Sequence, residues 1–245
     1  DFANTVINAA AGQTAIRYNL RGINSTIAAG PTSGLRAVAY AADFIRMGRA
    51  AVVLAAGVDE LCFESFFGFA RAGLLCGTNG KPGSFAIPFD RRRNGFALGE
   101  GAAVLVLEDA ESAAARGARF RAEIAGHGSG YDRSRGTDSH RSIATIARCM
   151  RQAMTDSDVD LDDVHAVSAA ASGSVWWDQF EACALDDVFG RRSAAVPITA
   201  IKSCTGESLA ASGPIQLAAM IESLTRSQLP GIRGLDEPEL GSRHV

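Results

Sequence analysis

The sequence predicts an α/β protein whose strands are parallel and whose helices cover both faces of the sheet. Apolar runs of strand length alternate with segments whose apolar residues recur at helical spacing, and the same order returns in the second half. Apolar residues make up 47% of the 245 residues and charged residues 21%, so the chain is globular and not disordered. It begins at Asp1 without Met, and we expect an excerpt of a longer protein.

Strands and helices alternate through the first half. A short buried strand is predicted at 24–30, followed by a helix that Gly48 closes. The continuous apolar run 50–56 predicts a central strand buried on both faces. Four further segments are predicted in order. They are a helix at 61–76, an ordered excursion at 77–101, a buried strand at 102–107 and a helix at 108–115 that ends at Ala115.

The second half repeats this rhythm. Its predicted strands are 120–125, 164–170 and 196–201. Its predicted helices have apolar faces at helical spacing within 143–150, 179–188 and 215–224. Both halves therefore run strand-helix-strand, which hints at duplication although no sequence repeat is present.

Charge and cysteine spacing exclude several classes of function. The 24 Lys and Arg against 27 Asp and Glu leave a net charge of −3, which gives no basic field for nucleic acid. The five cysteines form neither a CxxC pair nor a cluster with histidine, so no metal site or disulfide framework is indicated. Charged residues interrupt every long apolar stretch. We expect a soluble cytoplasmic protein that binds no metal, cofactor, nucleic acid or membrane.

The turn at residues 29–34 is the first candidate site for chemistry. It lies between a predicted strand and an amphipathic helix, where many α/β enzymes expose a nucleophile near the helix N-terminus. This turn resembles that of the β-ketoacyl synthases, which have a thiolase-like fold and carry cysteine in a pattern such as T-A-C-T/S-S-G. Thr32, Ser33 and Gly34 match, and the cysteine position falls on Pro31.

Further segments carry the same resemblance in the family's order. They are 18–22 (YNLRG), 88–90 (PFD), 94–102 (NGFALGEGA) and 201–206 (IKSCTG). The resemblance implies a layered αβαβα fold of two similar halves. Residues 1–115 would be the latter part of an incomplete first half, and 116–245 the second half, truncated at its end. The matched positions that the chain retains are Ser33, Gly34, Asp90, Phe96, Gly99, Glu100, Asp178, Glu181 and Lys202.

The three catalytic positions of the family are replaced in this chain. Pro31 has neither a nucleophilic side chain nor the N–H that the family uses in its oxyanion hole. Counting back from Asp178 and Glu181 places the first catalytic histidine on Ala170, and the second falls on Glu207. We therefore assign no catalytic residue.

A ketosynthase fold without its triad resembles the chain-length factors of type II polyketide synthases. Segments 57–59, 166–171 and 188–190 are similar to the chain-length-factor versions. The resemblance implies a heterodimer with an active ketosynthase, an acyl carrier protein that bears the growing chain, and a shared tunnel that limits its length. Aromatic and polyene products both fit. Many such factors carry Gln at the nucleophile position, and Pro31 cannot supply that amide.

Two other functions stay open. A divergent β-ketoacyl synthase or acyltransferase would still act on acyl carrier protein thioesters, through Ser33 or with the help of the substrate. The four histidines, His127, His140, His165 and His244, fall outside the matched active-site stretches, so none is placed to activate Ser33. We expect Ser33 to cap the helix instead. The third possibility is a module that binds acyl chains without a ketosynthase partner.

Aromatic residues carry two further predictions. The phenylalanines within 63–69 are expected to be core, with a tunnel wall or dimer interface as the alternative. Trp176 and Trp177 are adjacent and should face opposite ways, so one is expected to be buried and the other to be available to a partner.

Charged residues and Pro31 give three further predictions. Residues 91–93 (RRR) are expected to lie in a solvated loop, with an acidic acyl carrier protein as the alternative contact. Lys202 and Glu207 are expected to form a buried or interface ion pair. Pro31 fits the first turn of a helix, where its missing N–H costs nothing.

Overall fold

The computed structural model describes residues 6–78, 85–134, 136–193 and 195–239. Within these ranges the chain forms helices and short strands in the mixed α/β order that the sequence predicts. The strands are β1 (Val52–Asp59), β2 (Gly101–Glu108), β3 (Val167–Ser168) and β4 (Ile198–Thr199). The helices are α1 (Ala9–Tyr18), α2 (Ser33–Arg46), α3 (Phe63–Arg71), α4 (Ala110–Ala115), α5 (Ser139–Ser157), α6 (Val175–Phe189), α7 (Lys202–Thr205) and α8 (Ser212–Arg226).

The chain divides into two compact units, each assembled from separate stretches. The first unit contains the described residues up to Asp59, together with Ala102–Phe120 and Leu209–Ile215. The second contains Glu60–Gly101, Arg121–Ser208 and the described residues from Gln216 onward. The division at residue 115 that the resemblance implies stays a prediction.

In the first unit, β1 and β2 are hydrogen-bonded neighbours, and α2 packs against β1. Two glycines allow this packing to be close. A Cβ atom on Gly34 would lie 2.2 Å from the Ala210 carbonyl oxygen, and one on Gly57 would lie 2.4 Å from the same atom. The main-chain N–H of Ala210 also donates to Asp59 Oδ2 at 3.2 Å. Gly34, a retained motif residue, is therefore a packing residue.

Two strand predictions in the first unit are wrong. Residues 24–30 form an irregular, mostly exposed segment, because no strand within the described ranges pairs with them. The second error concerns β1, which was expected to be buried on both faces. Val52, Leu54 and Val58 of β1 are at least half exposed, because helix α2 packs on one side of the strand only. Val104 and Val106 of β2 are exposed likewise.

In the second unit, β3 and β4 pair in parallel, with Val167 opposite Ile198 and Ser168 opposite Thr199. This pairing confirms the parallel arrangement predicted for the second half, although each strand is only two residues long. Helices α5 and α6 pack side by side. One hydrophobic core is formed by apolar residues from these two helices, from the segments around β3 and β4, and from a few distant positions. Its members are Phe89, Ala147, Ala169, Ala171, Ala182, Ala184, Leu185, Val188, Phe189, Val196, Ile198, Ala200 and Ile232.

The strand predicted at 120–125 is absent. This segment runs without strand pairing into Gly126 and Gly128, whose backbone lies directly on α5. A Cβ atom on Gly128 would lie 2.0 Å from the Cys149 carbonyl oxygen. The chain directly after this segment is therefore placed by close contact with α5.

Helix α6 begins four residues earlier than predicted, at Val175, because the Ser174 hydroxyl accepts a hydrogen bond from the Trp177 N–H. Helix α3 falls within the predicted helix at 61–76, but none of its residues is buried. Phe63, Phe66 and Phe67 are all exposed, so the prediction of core phenylalanines is wrong for these three. None of the helices in the described ranges is long and apolar enough to cross a membrane.

Candidate functional site

The turn at 29–34 belongs to the first unit and is mostly exposed. Helix α2 begins at Ser33 with Thr32 as its N-cap residue, so Pro31 lies outside the helix. The prediction that Pro31 occupies the first helical turn is therefore wrong. Its missing N–H still costs nothing there, because water reaches the position.

Ser33 braces this turn. Its hydroxyl donates to the Gly30 carbonyl oxygen at 2.6 Å and accepts from the Ala29 N–H at 2.8 Å. The prediction that Ser33 caps α2 is wrong, because the N-cap position is taken by Thr32. Gly30 completes the turn with a φ of +62°, a conformation that favours glycine.

The second unit brings together four of the candidate residues, Ala170, Glu181, Lys202 and Glu207, which we call the Lys202 cluster. Lys202 begins α7 and is buried, and its Nζ donates to Glu207 Oε2 at 2.7 Å and to the Ala170 carbonyl oxygen at 2.9 Å. Lys202 and Glu207 side chains are 7% and 10% exposed, so the predicted ion pair is present and buried. A buried ammonium needs such partners, since loss of hydration is costly.

Glu181 holds the other side of Ala170. Its Oε1 accepts a hydrogen bond from the Ala170 N–H at 2.8 Å. Desolvation raises the pKa of the Glu181 carboxyl to about 7, helped by the nearby Asp178 charge and opposed by Lys202. The main chain at Ala170 is thus fixed by a carboxyl on its N–H and an ammonium on its carbonyl, while Ala170 itself remains exposed.

Asp178 joins two loops under this cluster. Its carboxylate is fully buried and accepts hydrogen bonds from the N–H groups of Phe89, Ser172 and Gly173 at 3.0–3.1 Å. Desolvation raises the pKa of the Asp178 carboxyl, although these three donors oppose the shift. Phe89 is held with a φ of +60°, which is unfavourable for a residue with a Cβ atom. Asp178 therefore stabilises a strained position.

Asp90 is a second buried carboxylate with a full set of donors. Arg92 binds it through Nε at 2.8 Å and Nη2 at 2.9 Å, and the N–H groups of Asp236 and Glu237 donate to it at 3.0 and 3.1 Å. The Arg92 hydrogen bonds are the main cause that holds the pKa of Asp90 well below its usual range. Asp90 thereby ties the PFD segment to the last described segment of the chain.

Two of the three consecutive arginines are structural. Arg92 binds Asp90, and the buried Arg93 donates to the carbonyls of Asp90 and Val175 and pairs with Glu239. Neither is the freely solvated side chain that was expected, nor is Arg93 open to an acidic partner. Arg91 alone of the three is exposed.

The glycine-rich segment 94–102 places Glu207. The Glu207 N–H donates to the Ala97 carbonyl at 2.8 Å, and its carbonyl accepts from the Gly99 N–H at 3.0 Å. A Cβ atom on Gly99 would lie 2.3 Å from the Thr205 carbonyl oxygen, so glycine is needed for this approach. Other side chains of the segment anchor its ends. Phe96 packs edge-on against Phe69, and Glu100 Oε2 accepts from the Leu61 N–H at 3.1 Å.

Of the retained motif residues, Glu181 and Lys202 belong to the Lys202 cluster and Gly99 packs beside Glu207, whereas Ser33 and Gly34 lie with Pro31 in the first unit. None of the contacts given above for the cluster involves His127, His140 or His165, and His244 lies outside the described residues. Among the described residues no group of three His, Cys, Asp or Glu is arranged to hold a metal.

Sequence reasoning missed Gln216. This buried side chain on α8 donates to the Ala169 carbonyl oxygen at 2.7 Å and to Ser168 Oγ at 3.2 Å, and so fixes the end of β3 next to Ala170. The signal that could have found it is a single amide side chain between Ile215 and Leu217, in a helix that was predicted from its apolar face.

Solved structures establish the class of fold. The chain is similar to a type II polyketide synthase acyl carrier protein complex with its ketosynthase bound to the hexaketide (TM-score 0.92, 29% identity, 99% of this chain and 60% of that chain). It is also similar to the ishigamide ketosynthase/chain length factor (TM-score 0.85, 28% identity, 98% and 58% covered). The fold is therefore the thiolase-like ketosynthase fold, as predicted.

The sequence comparisons agree. The model of the N-terminal domain of β-ketoacyl synthases matches residues 2–113, and that of the C-terminal domain matches residues 121–236. The chain belongs to the β-ketoacyl synthase family.

Individual relatives include 3-oxoacyl-(acyl-carrier-protein) synthases and polyketide ketoacyl synthases. A 3-oxoacyl-(acyl-carrier-protein) synthase 2 of Rhizobium meliloti (strain 1021) is 31% identical over 97% of this chain and 57% of its own length. The tetracenomycin polyketide synthase ketoacyl synthase alpha subunit of Streptomyces glaucescens is 33% identical over 88% and 51%. The chain spans little more than half the length of the relatives it matches.

Proposed function

We propose that this chain is a ketosynthase-like subunit that has no condensing activity of its own. It pairs with an active ketosynthase and helps to set the length of a polyketide or polyene chain carried on an acyl carrier protein. The observation that carries the proposal is the Lys202 cluster. Ala170 and Glu207 stand where the family resemblance places two histidines, and the Glu207 carboxylate neutralises Lys202 at 2.7 Å.

The chemistry of the cluster supports a non-catalytic role. Condensation needs a group that accepts an acyl chain and donors that stabilise the charge developing in the transition state. Pro31 offers neither group, and the Ser33 hydroxyl binds the main chain of its own turn on both sides. Lys202 and Glu207 are committed to each other, so neither is a free acid or base.

The exposed aromatic face of α3 supports a partner. Phe63 is 73% exposed, Phe67 51% and Phe66 44%, and Phe63 and Phe67 stack at 5.7 Å between ring centroids. A cluster of exposed aromatic rings of this kind is typical of an interaction surface or of the wall of an apolar tunnel. We assign this face to contact with the ketosynthase or with the growing chain. The ketosynthase/chain length factor among the similar structures supports the same assignment.

The alternative is a divergent β-ketoacyl synthase or acyltransferase that acts on acyl carrier protein thioesters. The naming of several relatives as 3-oxoacyl-(acyl-carrier-protein) synthase 2 favours it. Ser33 is the residue that such an enzyme would acylate, after breaking its bonds to Ala29 and Gly30.

Co-expression with an active ketosynthase of a type II polyketide synthase tests the proposal. We expect the two subunits to co-purify and the products to require both. Incubation of the chain alone with an acyl carrier protein thioester should leave its intact mass unchanged. Covalent acylation of the chain would establish the alternative. A ketosynthase that makes the same products in the same yield without this chain would refute the proposed role.

A further inference from the structure

We draw no further inference here: the strongest candidate, the exposed apolar face of strands β1 and β2 in the first unit, carries none because nothing in the structure shows what covers Val52, Leu54, Val58, Val104 and Val106.

Discussion

Two buried polar networks of the second unit, around Asp90 and around Lys202, satisfy their charges in different ways. Asp90 receives three hydrogen bonds from Arg92, one of them from its main-chain N–H, and two from the N–H groups of 236–237, and its pKa falls. In the Lys202 cluster the ammonium is well paired, but Glu181 is desolvated and its pKa rises to about 7. The donors around Asp90 thus stabilise its charged carboxylate, whereas burial favours the neutral form of the Glu181 carboxyl beside Ala170.

The Asp90 network should tolerate change least. Asp90→Ala leaves buried main-chain N–H groups and Arg92 without their acceptor, and we expect a loss of about 5 kcal/mol in the free energy of unfolding. Urea denaturation measures it. Asp236→Asn is the matched control, because Asp236 contacts the same Arg92 from an exposed position, and its effect should be far smaller. Similar losses in the two variants would contradict the role of Asp90 as an anchor.

Disruption of the Lys202–Glu207 pair should have the second largest effect on the free energy of unfolding. Glu207→Leu leaves a buried ammonium without its counter-charge and should cost about 3–4 kcal/mol by the same measurement. The double variant Lys202→Met with Glu207→Leu removes both charges and should recover most of this loss, because apolar pairs often replace buried ion pairs without penalty. If the double variant is as unstable as the single one, the cost lies in packing and not in charge.

Glu181 should make stability depend on pH. A carboxyl whose pKa is raised to about 7 stabilises the fold fully below its ordinary value near 4.5 and loses that contribution as pH rises through 7. The wild type should therefore lose about 2–3 kcal/mol between pH 5 and pH 8 relative to Glu181→Gln. Thermal or urea unfolding across this range measures it. Glu222→Gln, an exposed pair member, should leave the slope unchanged; an equal slope in Glu181→Gln would disprove the assignment.

The turn of the first unit should show the smallest effect. Ser33→Ala removes two hydrogen bonds to the main chain of a mostly exposed turn, and we expect a loss of about 1 kcal/mol. The same variant bears on function. If the proposed role is right, products of the co-expressed pair should not change, whereas a serine-dependent enzyme would lose its activity completely.

The sequence predicted local structure well and distant pairing poorly. Helices such as α5 and α8 follow from apolar spacing, and the Lys202–Glu207 pair lies only five residues apart. The strands expected at 24–30 and 120–125 are absent, because a strand depends on a neighbour that an apolar run does not specify. The anchor role of Asp90 was also invisible, since its partners at 236–237 lie about 146 residues further along.

The candidate site, too, was predictable where it depends on local spacing and not where it depends on distant contacts. Motif spacing located Ala170 and Glu207, but not the Gln216 amide that fixes the strand end from another helix. Nor could it show that Glu181 loses its water, because desolvation depends on packing from several segments. Trp176 is 69% exposed and Trp177 47% exposed, so the prediction that one of them is buried is wrong; burial depends on packing that adjacency in the sequence does not specify.

The interleaved build of the two units also affects how the chain folds as it is made. The Gly57 backbone packs on Ala210, so the first unit cannot close until residue 210 has left the ribosome. At a synthesis rate of about 5–20 residues per second, that delay is about 8–30 s after Gly57 emerges. During this time the valine-rich strand β1 lacks its final neighbour. An apolar strand that waits for its neighbour is open to aggregation, so the long interval between Gly57 and Ala210 in the sequence exposes nascent β1 to that risk.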